Sequence, residues 1–359
     1  MQTRIRSTLL AAVVLFTLAG QAAANTLTQN VSWTIDRAGT TTKYRVVAYG
    51  DSIYAGYNGS ITSAAKYSAP TVDAEYLSAA WNADIESVRR AKSGAVASDV
   101  YNNKIVAERS YMQASNTRVV TFEMCGNDGL QARSAFKGQT GTCDDSVLTA
   151  AENSCKTYVA AAMDYINANA YSGVKVKVIS NLHYPGYAAD NVQSSCKDPN
   201  TGATVNMQQK FLPALARMNF MMCDTARQKG FQCADNFAQY MGADYDSNGD
   251  GIVDSDALRY VAGESQSSYV SRITSTLRAT LRDANTHFVS AGSSYDYIQS
   301  DDTHPTYTGS TVTAGLFGGT TGTGAPRYTS FSSGKNPIWN QFGHERMGWA
   351  VSVFNSPTP

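Results

Sequence analysis

The chain has 359 residues, with 29 basic and 29 acidic side chains and a formal net charge of zero. That balance leaves no basic footprint of the kind a nucleic-acid binder carries, so nucleic acid is excluded as the expected partner. The length suits one large domain or two small ones, with ample chain for a core.

The first residues read as an export signal. Arg4 and Arg6 precede the apolar stretch "STLLAAVVLFTLAG", which is too short to span a bilayer comfortably, and "AAA" at 22–24 offers a small-residue cleavage site. Cleavage near Ala24 splits the chain into a signal peptide, 1–24, and a single slightly acidic domain, 25–359. An uncleaved anchor is the competing reading. No later apolar segment is long enough to cross a membrane, so the mature chain is expected to be soluble and secreted, extracellular or periplasmic.

The first strand is expected at "YRVVAYG" (44–50), and it runs straight into Gly50-Asp51-Ser52. A weaker strand, "IESVRRAKSG" (85–94), ends at Gly94, which can bring a bare backbone N–H close to a substrate. "TRVVTFEMC" (117–125) is followed by "GND", where Asn127 offers an amide donor. Cys155, Val159, Met163 and Ile166 recur at helical spacing before another strand, "VKVKVIS" (174–180). Leu215, Met218, Met222 and Ala226 repeat that pattern, with Pro213 near the helix start and Gly230 just past its end. Val270, Ile273, Leu277, Leu281, Ala284 and Phe288 mark a longer amphipathic helix. Residues 309–336, rich in Gly, Thr and Ser, read as a long loop.

Strand–helix alternation argues for an α/β fold with a mostly parallel sheet covered on both faces. Functional groups in such sheets gather outside the carboxyl ends of the strands. Ser52 sits at such an end, but its hydroxyl is a poor nucleophile until a base takes its proton. Of the four histidines, His304 has Asp301 three residues earlier, a spacing that lets a carboxylate hold the imidazole in one tautomer. His183, His287 and His344 lack a comparably placed acid, and His287 reads as a structural helix residue. Asp302 is the rival to Asp301, and the three-residue spacing favours Asp301.

The blocks "YGDSIYAGY", "SGA" around Gly94, "GND" and "DDTHP", taken in order, resemble those of the SGNH (GDSL) hydrolases. They span 44–309, most of the mature chain. The resemblance implies a flavodoxin-like three-layer α/β/α fold and a secreted serine esterase or lipase. It implies Ser52 as nucleophile, His304 as base and Asp301 as its orienter, with no cofactor for the catalysis. It also implies an oxyanion hole from the backbone N–H groups of Ser52 and Gly94 and the side chain of Asn127. The substrate is then a small-molecule, lipid or acetylated-glycan ester, which keeps phospholipase and acetyl-polysaccharide deacetylase activities open. Cys125 departs from the family pattern, which usually has glycine there. A disulfide from Cys125 would staple the loop that carries Asn127.

Six cysteines, Cys125, Cys143, Cys155, Cys196, Cys223 and Cys233, suggest three disulfides in an exported chain, with fifteen pairings open. The sequence neighbours Cys143/Cys155 and Cys223/Cys233 are candidate pairs. Finally, "DYDSNGDGIVDSDAL" (244–258) resembles the calcium loops of dockerin and thrombospondin-type repeats. Its ligands would be Asp246, Asn248, Asp250 and the Ile252 carbonyl, with Asp254 or Asp256 completing the shell because Ala257 stands where an acid is expected. The expected role is a structural Ca2+ clip; a solvated acidic turn is the alternative. A calcium-dependent binding or adhesion module with a vestigial triad is the competing function from another class.

Overall fold

The computed structural model describes residues 29–60, 62–183, 190, 192–241, 258–279, 298–301, 303–315, 319–331 and 342–354. The signal segment, the calcium-loop ligands, His287 and Asp302 therefore lie outside the described residues.

One seven-stranded sheet organises the chain. Its strands are β1 (Val31–Ile35), β2 (Lys43–Gly50), β3 (Asp84–Ala91), β4 (Thr117–Phe122), β5 (Val176–Ser180), β6 (Gln232–Ala234) and β7 (Gly319–Gly324). They lie in the order β6-β5-β4-β2-β3-β1-β7. From β2 to β6 the pairing is parallel, and counting from β2 gives the 2-1-3-4-5 order of flavodoxin-like sheets. The expected α/β class is what the chain adopts. β1 then pairs antiparallel with β3, and β7 runs parallel to β1 at the edge.

The register sets the strand ends level. Gly50 pairs with Ala91, Tyr49 with Phe122, Phe122 with Ile179 and Ser180 with Ala234. The loops after β2, β3 and β4 thus leave the same edge, at the point where the chain reverses its direction of travel across the sheet. Such a switch point opens a crevice.

The Val-rich runs are continuous because both faces are covered. Val46, Ile85, Val119 and Val178 face a layer containing Leu77 and Trp81 of α1 (Ala69–Trp81) and Ala350 of α6 (Gly343–Ser352). Val47, Tyr49, Val120, Phe122 and Ile179 face the other way, towards the long helices α3 (Ser146–Asn169) and α4 (Gln208–Gln228). Between β4 and α3 lies α2 (Gly126–Lys137), and α5 (Gln266–Ala279) packs on α4.

Three expectations are corrected. The stretch 309–336 is not all loop: Thr311–Thr313 pairs with Ser63–Ala65, and β7 pairs with β1. Arg327 also bonds Glu75 and Glu345, and Tyr328 stacks on Tyr76 at 4.3 Å, anchoring this segment on α1 and α6. Pro213 lies inside α4, which begins at Gln208. The disulfides are Cys125–Cys155, Cys143–Cys196 and Cys223–Cys233, so the expected Cys143/Cys155 pair does not form. Cys155 lies well inside α3, about 14 Å along the axis from its start, beyond the ~7 Å Cα separation a disulfide tolerates. Cys223/Cys233 pairs as expected.

Candidate active site

Gly50 ends β2 where there is no room for a side chain. A Cβ there would come within 2.5 Å of Glu123 Oε1 and 2.7 Å of Tyr54 Cβ. Asp51 then caps a single helical turn, Ser52–Ala55, its Oδ1 accepting from the Ile53 N–H at 2.9 Å. Gly56 ends the turn at φ 73°, a left-handed conformation that glycine adopts without steric cost. Ser52 is thereby held at the first position of the turn, where no carbonyl of the turn can accept its N–H. Tyr54 fixes the turn to the sheet through Thr121 and Ser180, at 2.7 and 2.8 Å from its hydroxyl.

His304 comes from the far end of the chain. Its Nε2 lies 2.8 Å from Ser52 Oγ, and its Nδ1 lies 2.5 Å from Asp301 Oδ2. Asp301 Oδ1 also accepts from the backbone N–H groups of Thr303 and His304, at 3.0 and 2.9 Å. Burial pushes the Asp301 carboxyl up, but these hydrogen bonds and the His304 charge outweigh it and hold its pKa at about 2. Three contacts that the sequence did not point to position the loop. Tyr57 lies against the imidazole with ring centroids 4.5 Å apart. Gln299 donates to the carbonyls of Tyr57 and Pro305. His183, set aside for want of an acid, donates from Nε2 to the Thr303 carbonyl at 2.8 Å.

Burial lowers the His183 pKa to about 4, with the Thr303 hydrogen bond opposing. The folded protein therefore keeps His183 neutral in a range where the unfolded chain, near 6.5, takes up a proton. Stability from this group is complete above pH 6.5 and drains away as pH falls towards 4, by on the order of 3 kcal/mol. His344, buried and also shifted down by burial, acts in the same direction. Urea unfolding at pH 7 and pH 4.5 checks this: the midpoint is expected to fall at the lower pH, and an unchanged midpoint would contradict a neutral buried His183.

Asn127 opens α2 beside Ser52. Its Nδ2 donates to Asp51 Oδ2 at 2.9 Å and to the Ala95 carbonyl at 3.0 Å. The next residue, Asp128, accepts from the Ala97 N–H at 2.7 Å and from Ser154 Oγ at 2.9 Å. The two neighbours therefore clamp the turn after β3, where Gly94 adopts φ 76°. Beneath them Glu123 Oε1 accepts from the Asp51 N–H at 2.7 Å. Burial raises both carboxyls, and the neighbouring Asp51 pushes Glu123 further up, while Asp51 Oδ2 fixes Asn127.

Cys125 stands where the resemblance in sequence leads one to expect glycine. It sits at φ 83°, a conformation that favours glycine, and its disulfide to Cys155 ties the Asn127 loop to α3. In the chain-entropy picture, closing that loop is worth about 3–4 kcal/mol, enough to offset the local strain.

Ser52 and Asn127 line one cavity together with side chains of α2, α3 and α4. The structure brings Ser52, His304 and Asp301 into one hydrogen-bonded line and sets Asn127 and the Gly94 turn beside it. Among the described residues, no helix is long and apolar enough to cross a membrane.

No protein-family model and no curated protein matches the chain. Solved structures do. A lipase from a goat rumen metagenome is 13% identical, with a TM-score of 0.42, covering 68% of this chain and 100% of its own. A phospholipase A1 from Streptomyces albidoflavus is 18% identical with a TM-score of 0.37, covering 67% and 99%. An acetylxylan esterase from Geobacillus stearothermophilus is 13% identical with a TM-score of 0.35, covering 72% and 100%. Likeness this loose carries no weight on activity, which rests on the geometry above.

Proposed function

We propose that the protein is an exported carboxylic ester hydrolase of the SGNH type, acting through a serine acyl-enzyme. The observation that carries this reading is the line Ser52 Oγ–His304 Nε2–His304 Nδ1–Asp301, at 2.8 and 2.5 Å. Ser52 Oγ attacks the ester carbonyl carbon while His304 Nε2 takes the hydroxyl proton. The carbonyl oxygen becomes an oxyanion facing the N–H groups of Ser52 and Gly94 and the Asn127 amide. Collapse breaks the bond to the alkoxy oxygen, which leaves with the proton from His304. Water then gives a proton to His304 as its oxygen attacks the acyl carbon; collapse breaks the bond to Ser52 Oγ, which takes that proton back from His304 as the acid departs. Export accords with three disulfides, which persist in oxidising compartments.

Both hydrogens of Asn127 Nδ2 are engaged before substrate binds, so the oxyanion must draw one from the Ala95 carbonyl. The test is hydrolysis of p-nitrophenyl acetate by the oxidised protein beside Asn127→Ala. The variant is expected to lose about 10²–10³-fold in kcat. Unchanged turnover would remove Asn127 from the hole, and a wild-type protein inert to esters would sink the whole reading.

The loop from Asp246 to Asp256 is proposed as a calcium clip on its spacing alone. Chelation by EDTA is expected to lower the thermal midpoint while leaving Ser52 reactive. A midpoint that ignores both chelator and added calcium would make the loop a solvated acidic turn.

A further inference from the structure

The inner wall of the cavity beside Ser52 is hydrocarbon. Leu130 of α2, Leu148 and Ala151 of α3, and Phe211, Ala214 and Met218 of α4 line it. Its polar groups include Asn127 at the start of α2 and Asn181 and His183 in the loop after β5. Arg133 brings the one guanidinium among the lining residues, and the buried carboxylate of Asp190 neutralises it. A sugar ring would find few hydrogen-bond partners along that wall, and a phosphate would find its cation already paired.

The walls are held before any ligand arrives. Cys125–Cys155 fastens the start of α2 to α3, and Cys143–Cys196 closes the cluster containing Leu148, Phe211 and Ala214. Glu152–Arg217 and Asp145–Lys210 cross-link α3 to α4. From Phe211 to Met218 the wall follows α4 for about 10 Å, at ~1.5 Å per residue.

The chemistry says which half of an ester goes there. The leaving alcohol takes its proton from His304 Nε2 and must lie on the His304 side. His304 is not among the lining residues, whereas Ser52 and Asn127 are. We infer that this cavity is an acyl-chain pocket, making the preferred substrates esters of medium-chain fatty acids rather than acetylated glycans. This rests on the serine hydrolase reading and narrows it.

The experiment is kcat/KM for p-nitrophenyl esters from acetate to octanoate, alongside fluorophosphonate labelling of Ser52. Wild type is expected to gain about fourfold per added methylene, the factor that ~0.8 kcal/mol per buried CH2 corresponds to. Ala151→Phe is expected to reduce the octanoate-to-acetate ratio at least tenfold. Ala214→Leu, a smaller intrusion from the opposite helix, is read the same way should the first variant lose its native circular dichroism. A flat wild-type series with Ser52 labelled would overturn the acyl pocket alone, as would an unchanged ratio in the folded variants. An unlabelled Ser52 with no turnover of any ester would overturn the hydrolase reading and the pocket with it.

Discussion

Replacing Ser52 with alanine is expected to cut kcat for ester hydrolysis by about 10⁶-fold, and adding His304→Ala should cost almost nothing more. The two side chains form a single device. The hydroxyl has no nucleophilicity without the base 2.8 Å away, and the base has no proton to move without the hydroxyl. Each single loss therefore disables the same step, and the free energies do not add. Residual hydrolysis, at about 10³–10⁴ over water, would come from the oxyanion donors and binding alone. Steady-state kinetics on the two single variants and the double variant, each with native circular dichroism, provide the check. Additive losses would show that Ser52 and His304 act in separate steps.

The second large effect is expected at Asp301. Its Oδ1 accepts two backbone N–H groups and its Oδ2 faces His304 Nδ1. Asparagine at this position would keep its single oxygen on the backbone donors and turn its NH2 towards Nδ1. The imidazole would then carry its proton on Nε2 and offer Ser52 a donor where an acceptor is needed. About 10⁴-fold in kcat should go with that tautomer, with little change in KM. The wild-type carboxyl, held at about 2, stays ionised across any ordinary assay range. An acid limb in the wild-type profile must therefore come from another group. Activity of Asp301→Asn within tenfold of wild type would show that the carboxylate does not set the tautomer.

Much of this was legible in the chain. Val46, Val47, Val119 and Val120 announced doubly covered strands because a buried parallel sheet leaves no polar face to break the run. Ser52, His304 and Asp301, which the fold brings into one hydrogen-bonded line, were legible because each sits at a turn with a short, specific spacing. β1 was not. Its "VSWTI" alternates Val, Trp and Ile, which are buried, with Ser and Thr, which are only partly so, in a run too short to stand out from loop. β7 was still less legible, since the glycines that make up half of "GTTGTG" weaken a strand and offset its threonines, leaving the pairing with β1 to make it one. Glu123 passed for an ordinary strand residue, because its importance comes from burial beside Asp51, which only the fold supplies. Closeness in sequence served for Cys223/Cys233 but failed for Cys143/Cys155 for the same reason, since a helix carries Cys155 away from Cys143.

The measurement that bears most directly on the central claim is intact-mass analysis after treatment with a fluorophosphonate, with peptide mapping of the adduct. The account predicts one adduct per chain, on Ser52, formed in step with loss of esterase activity and absent from Ser52→Ala. Ester hydrolysis that survives with Ser52 unlabelled, or an adduct mapped to a different residue, would contradict it.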